Sequence, residues 1–166
     1  TTAGTIHFDG HDITGFKPDR ICQRGIARTF QFNAAFDTLS ARENTLIAAY
    51  YGYHNRVVPG LRFDQGTARR ADEAMALVGL DEVAHQAAAT LPVYYRKLLM
   101  IAGALATGPK LLLMDEPVGG LNPQEINAIM DLVRRLKESG LTIMLIEHVM
   151  RFLVQLSDRV LIMHHG

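Results

Sequence analysis

From Lys110 onward the apolar positions fall into short unbroken blocks separated by amphipathic stretches. Leu111 to Asp115 opens as an apolar run without alternation, the pattern of a strand covered on both faces. Pro123 takes the first position of a helix that runs to about Ser139, and Gly140 closes it. Thr142 to Glu147 is the next buried strand. A helix over Val149 to Leu156 then leads to a third strand, Arg159 to Met163. Strands that alternate with crossover helices predict an α/β fold with a mainly parallel, doubly wound sheet.

The first two thirds of the chain follow another pattern. Thr5-Ile6-His7-Phe8 alternates and meets the turn pair Asp9-Gly10, which predicts a short antiparallel hairpin. Pro18 to Arg24 reads as a short helix stopped by Gly25, and Ile26 to Phe30 as a strand ending at Gln31. Ser40 with Glu43 forms a capping box that starts a helix over Ala41 to Tyr51. A loop rich in Gly, Pro and Arg follows, from Arg56 to Arg62. Helices are expected over Ala68 to Val78, Asp81 to Ala88 and, after the break at Leu91-Pro92, Tyr95 to Ala106. With helix signals and no strand from Ile47 to Ala106, the expected organisation is a core of residues 1–34 and 108–166 into which a helical subdomain, 35–107, is inserted.

Composition narrows the function classes. Lys and Arg number 17 and so do Asp and Glu, so the basic excess that marks a nucleic-acid binder is missing. A basic field for membrane adhesion is missing too. The single Cys22 excludes an internal disulfide and suits a reducing compartment. No run approaches the ~20 apolar residues of a membrane span. The opening Thr1-Thr2-Ala3-Gly4 has neither the charged nor the apolar region of a signal peptide. A start without Met, close to a strand, leads to the expectation that further sequence precedes it.

The chemistry concentrates at strand ends. Leu111-Leu112-Leu113-Met114 finishes in Asp115-Glu116, which puts two carboxylates at the carboxyl end of a parallel sheet, where open α/β folds bind ligands. Asp115 can hold a magnesium ion, because hard cations take oxygen ligands. Glu116 can orient and polarise an attacking water. The same pair alone also suits capping of the helix that follows. His148 lies thirty-two positions beyond Glu116, just after the strand through Ile146. Adjacent strand ends can bring the two to one rim, although a His at a strand end also serves in purely structural roles. Gln31 closes an earlier strand where the chain leaves for the helices.

Gln31, Asp115-Glu116, Gly119-Gly120-Leu121-Asn122 and His148, in this order, resemble the Q-loop, Walker B, D-loop and H-loop of the ATP-binding cassette ATPases. The resemblance covers the whole chain. It implies a P-loop NTPase-like sheet, here incomplete, with ATP and Mg2+ as cofactors. It also implies Asp115 and Gln31 at the metal, Glu116 as catalytic base and His148 as the γ-phosphate switch. Gly119, Gly120 and Asn122 would bridge to a partner cassette. Gly4 to Gly10, Gly25 to Gln31, Gly120-Leu121-Asn122-Pro123 and Glu147-His148-Val149-Met150 are similar to the subgroup that imports branched-chain amino acids. Related lipopolysaccharide-transport ATPases share the hairpin but differ around Arg28-Thr29-Phe30-Gln31. A homodimer or a heterodimer with another cassette ATPase is implied, docked on integral membrane permease subunits at the cytoplasmic face of the inner or plasma membrane, with no nucleic acid.

Two departures qualify that reading. No GxxxxGK followed by Ser or Thr occurs, the loop whose amides and Lys hold the phosphates. In the family it precedes the hairpin, so this chain by itself is expected to bind ATP poorly. The signature turn is also eroded. Val93-Tyr94-Tyr95-Arg96-Lys97 stands where the family has a Gly-rich turn and Gln, so Tyr94 and Tyr95 would face the partner's nucleotide. Arg96 and Lys97 are expected to be solvated helix charges, and Gly103 replaces a usual Arg. A non-catalytic structural or regulatory subunit is therefore the main competing expectation. A soluble cassette ATPase acting on DNA or ribosomes is a third, disfavoured by the balanced charge and the absence of a tandem cassette or coiled-coil insertion.

Overall fold

The computed structural model describes residues 4–29, 35–53 and 63–163. Strands β1 (His7–Phe8) and β2 (His11–Asp12) pair antiparallel, with His7 opposite Asp12. Asp9 and Gly10 both take positive φ, 51° and 75°, as a two-residue turn between twisted strands requires. Helix α1 (Pro18–Gln23) leads into β3 (Ile26–Arg28). Helices α2 (Ala41–Tyr53), α3 (Gln65–Val78) and α4 (Val93–Ala106) follow before β4 (Leu111–Asp115), α5 (Pro123–Glu138), β5 (Thr142–Ile146) and α6 (Met150–Leu156).

Among the described residues β3, β4 and β5 form a parallel sheet in the order β3-β4-β5. Ala27 pairs with Leu112, and Asp115 with Ile146. Leu112 and Met114 on β4 are fully buried, in one cluster with Leu98 and Ile101 of α4, Ile129 and Val133 of α5 and Phe152 of α6. Leu111 and Leu113 on the other face of the strand, expected to be covered as well, are only partly buried. The buried positions of α5 recur at 129, 132, 133 and 136, the three-and-four spacing of one helix face. A smaller cluster of Leu46, Ala49, Ala71, Ala74 and Ala106 joins α2, α3 and the end of α4.

Most predicted elements are present, with shifted ends. α3 starts one turn before Ala68 because Asp64 caps it, accepting from the Thr67 amide at 2.7 Å. Three expectations fail. Thr142–Ile146 is a strand but not a buried one. None of its residues is buried, and Met144 and Ile146 are each 54% exposed, because among the described residues β5 is the edge of the sheet. The predicted helix over Asp81 to Ala88 is replaced by two single 3-10 turns, Asp81–Val83 and Ala88–Thr90. The carbonyls of Ala84 and Gln86 accept from the Arg42 and Ala41 amides at 2.9 and 3.0 Å. They thereby satisfy the first turn of α2 and are unavailable to a local helix. The predicted strand Arg159 to Met163 is not formed. A strand exists through its ladder, and among the described residues this run has no strand beside it. Leu161 and Ile162 are 84% and 86% exposed.

The capping box of α2 is formed, with Glu43 Oε2 accepting from the Ser40 amide at 2.8 Å. That amide, with the Ser40 hydroxyl, holds the Glu43 carboxyl below its ordinary value. Its stabilisation is therefore full above the unfolded pKa of about 4.3 and lost as pH falls through the lowered folded value. The difference in thermal midpoint between the parent and Glu43→Ala is expected to shrink across that window. The helix packing gives a second test. A Cβ on Gly52 would lie 2.3 Å from Thr107 Cγ2 and 2.6 Å from its Cβ, whereas one on Gly103 meets Ala48 Cβ at an ordinary 3.6 Å. Gly52→Ala is expected to destabilise by roughly 1–3 kcal/mol through overpacking. Gly103→Ala should stabilise by about 0.5–1 kcal/mol through helix propensity. Urea unfolding of the two variants reads both signs.

Candidate active site

The register of β4 on β5 builds the site. Asp115 stands opposite Ile146, and the next amide, Glu116 N, still donates to the Ile146 carbonyl at 2.9 Å. The chain then turns sharply. Glu116 adopts φ +47°, left-handed backbone for a non-glycine residue, at a cost of about 1–2 kcal/mol. Strain of this kind persists only where neighbours over-determine it. Here the Glu116 carbonyl accepts from Lys97 Nζ at 2.8 Å and from the Gly119 amide at 3.3 Å.

The turn leaves the Glu116 carboxylate half-exposed at the rim, with Oε1 3.9 Å from Nδ1 of the exposed His148. The structure thus brings Glu116 and His148 together from two strand ends, as the sequence led us to expect. Asp115 is mostly covered and is ion-paired with Arg28 Nη2 at 2.9 Å, across from β3. A hollow of about 40 Å³ lies beside it, bounded by Thr29, Asp37, Lys97, Met100 and Pro117. That is room for water rather than for a nucleotide. Gln31 lies outside the described residues.

The stretch after Glu116 is set by local chemistry. Gly120 has φ +77°, which only glycine adopts freely. Asn122 is the N-cap of α5. Its side chain accepts from the Glu125 amide at 3.0 Å, and Glu125 Oε2 accepts from the Asn122 amide at 2.9 Å. The side chain expected to bridge to a partner is engaged within its own helix.

The eroded signature segment departs from expectation. Arg96 and Lys97 are not solvated charges. Arg96 donates to the Leu91 carbonyl at 3.0 Å and also to the Ala89 carbonyl, tying α4 to the turn before it. Lys97 turns inward to Glu116, and burial pushes its ammonium pKa down while the charges of Glu147 and Glu116 pull it up. Tyr94 and Tyr95 are half-buried against the main cluster, their rings edge to face at 5.4 Å. Burial raises the Tyr94 phenol.

One residue of the site was read only as a neighbour of His148. The Glu147 side chain is 0% exposed. Its Oε1 accepts from the Val118 amide at 3.1 Å, and Oε2 from the His148 and Val149 amides at 3.1 and 3.2 Å. The only signal for it in the sequence is an acid at the end of an apolar strand.

The family profile described as ABC transporter matches residues 1–119. The chain belongs to the ABC transporter family. Among curated relatives of this cassette, it is 34% identical over 99% of its length to the high-affinity branched-chain amino acid transport ATP-binding protein BraF of Pseudomonas aeruginosa. It is 31% identical over 99% of its length to LivG of Escherichia coli K12, which carries the same description. It covers 68% of each of those two proteins. The solved ADP conformation of an ATP-binding cassette of an ABC transporter superposes with a TM-score of 0.81 at 27% identity, over 94% of this chain and 63% of that one. The cassette fold, with its parallel sheet, hairpin and helices, is therefore shared. Among the described residues no helix is long and apolar enough to cross a membrane.

The Asn122 cap yields a test. Asn122→Ala is expected to cost about 1 kcal/mol in urea unfolding. Asn122→Asp, whose carboxylate also accepts at an N-cap, should retain the cap and most of that stability.

Proposed function

We propose that this cassette is the ATP-binding and ATP-hydrolysing part of an importer for branched-chain amino acids. The observation that carries the reading is the approach of Glu116 to His148, 3.9 Å apart, from the ends of neighbouring strands. Glu116 accepts the proton of the attacking water. His148 donates to the γ-phosphate and to that water. ATP supplies the phosphoryl group to be transferred, and Mg2+ neutralises charge on its phosphates.

Asp115 would hold the Mg2+. Among the described residues no group of three His, Cys, Asp or Glu side chains could bind a metal alone. Mg2+ takes one or two carboxylates and completes its shell with water and phosphate oxygens. Gln31 would add its amide oxygen from the end of the first strand. Gly119, Gly120 and Asn122, with Tyr94 and Tyr95 across a dimer, would form the composite part of the nucleotide site.

Residues 1–34 and 108–166 serve as the nucleotide-binding core and 35–107 as the helical subdomain. A dimer on membrane permease subunits, peripheral at the cytoplasmic face, fits this role. A bacterial ABC transporter cassette solved as a dimer superposes with a TM-score of 0.75 at 25% identity. The amino acid is inferred from the descriptions of the relatives, which also favour it over a lipopolysaccharide substrate.

A second reading, a cassette without turnover, is motivated by Tyr94 at the position where the resemblance implies a glycine. The two separate in one experiment, on the cassette extended to the length of its relatives. Glu116→Gln is expected to lower ATP turnover by a factor of roughly 10²–10⁴, the contribution of a general base, with ATP binding retained. No turnover in the parent at any length would favour the second reading. Unchanged turnover in Glu116→Gln would remove Glu116 from the mechanism.

A further inference from the structure

The buried Glu147 and the inward-turned Lys97 are not explained by the roles above. A buried carboxylate is tolerated only when it is hydrogen-bonded and electrostatically compensated. The two oxygens of Glu147 accept three backbone amides, and the Glu147 charge in turn pulls up the pKa of the inward-turned Lys97. Those amides belong to two separate loops. Val118 lies in the turn that follows Glu116, while His148 and Val149 lead into α6. Lys97 adds a third element, because it projects from α4 and donates to the Glu116 carbonyl at 2.8 Å. Its ammonium lies over Gly119, where an added Cβ would be 3.9 Å from Nζ and 3.7 Å from the Glu116 carbonyl oxygen.

We infer that Lys97 and Glu147 are positioning residues that clamp Glu116 and His148 into one arrangement and link both to α4. Neither touches the reacting atoms. Glu147 fixes the backbone on either side of the pair, at Val118 and at His148. Lys97 holds the left-handed peptide of Glu116 and brings a positive charge from α4 to the turn that Glu147 ties down. Helix α4 begins at Val93, the segment expected to face a partner's nucleotide, and Lys97 follows in its second turn. A displacement of α4 therefore reaches the base and the histidine together. The inference rests on the proposed roles of Glu116 and His148, and its primary test does not.

That test is site-resolved amide hydrogen exchange on the 166-residue chain and on Glu147→Gln, Lys97→Met and Lys97→Arg. Exchange protection at Val118, His148 and Val149 should fall tenfold or more in Glu147→Gln. It should also fall tenfold or more in Lys97→Met, although Lys97 bonds none of these amides. Protection at Leu112 and Ile129 should change less than twofold, and Lys97→Arg should restore the three amides to within about threefold. Wild-type protection at those amides in Lys97→Met would overturn the clamp, as would a parallel fall at Leu112 and Ile129. Should Lys97→Met not fold, Lys97→Gln, which keeps a donor and loses the charge, is read in the same way. In the cassette extended to its relatives' length, Lys97→Met should lower kcat tenfold or more with KM for ATP within twofold. An unchanged kcat would reduce the clamp to a structural contact and overturn its positioning role. Absence of turnover in the parent would sink the ATPase reading alone, since amide exchange still decides the clamp.

Discussion

The structure depends on the hydrogen bonding of β4 along both of its edges. Its neighbours β3 and β5 fix its register. Leu112 and Met114, on one face of the strand, are fully buried, while Leu111 and Leu113 on the other are only partly covered. Side chains alternate along a strand, so a slip of one residue would exchange buried and exposed positions. The same slip would move Asp115 and Glu116 away from Ile146. The main core cluster and the site are two consequences of a single ladder.

The helices between β3 and β4 are joined to that ladder through polar contacts as well as packing. The Ala84 and Gln86 carbonyls cap α2, Arg96 fastens α4 to the segment before it, and Lys97 reaches the peptide of Glu116. Cations that a helix could have presented to water are turned toward backbone carbonyls. This arrangement satisfies oxygens that would be costly to bury unpaired. It also makes the helical layer a direct neighbour of the rim.

At the rim, conformational strain and chemistry coincide. Glu116 takes a backbone conformation that its side chain disfavours, and three hydrogen bonds at its amide and carbonyl retain it. The return is position. The carboxylate emerges beside His148 instead of capping α5, a task that Asn122 and Glu125 perform. The two possible uses of the Asp115-Glu116 pair are thereby separated, with capping assigned to a different pair.

The sequence by itself determined the elements whose signals are local. The apolar runs of β4 and β5, the Asp9-Gly10 turn, the Ser40 and Asn122 caps and the glycine stops after α3 and α5 all appear where their residue types require. It also placed Asp115, Glu116 and His148 at strand ends, because an apolar strand that finishes in polar residues states its own direction. What depends on a distant partner was decided by the tertiary structure. The run from Arg159 to Met163 has β composition but, among the described residues, no ladder to join, and Ala84 and Gln86 gave their carbonyls to α2 in place of a helix. Arg96, Lys97 and Glu147 carry the residue types of a solvated surface. Only the fold brings oxygens and amides from elsewhere in the chain against them, since a charge chooses between water and protein by what surrounds it in space.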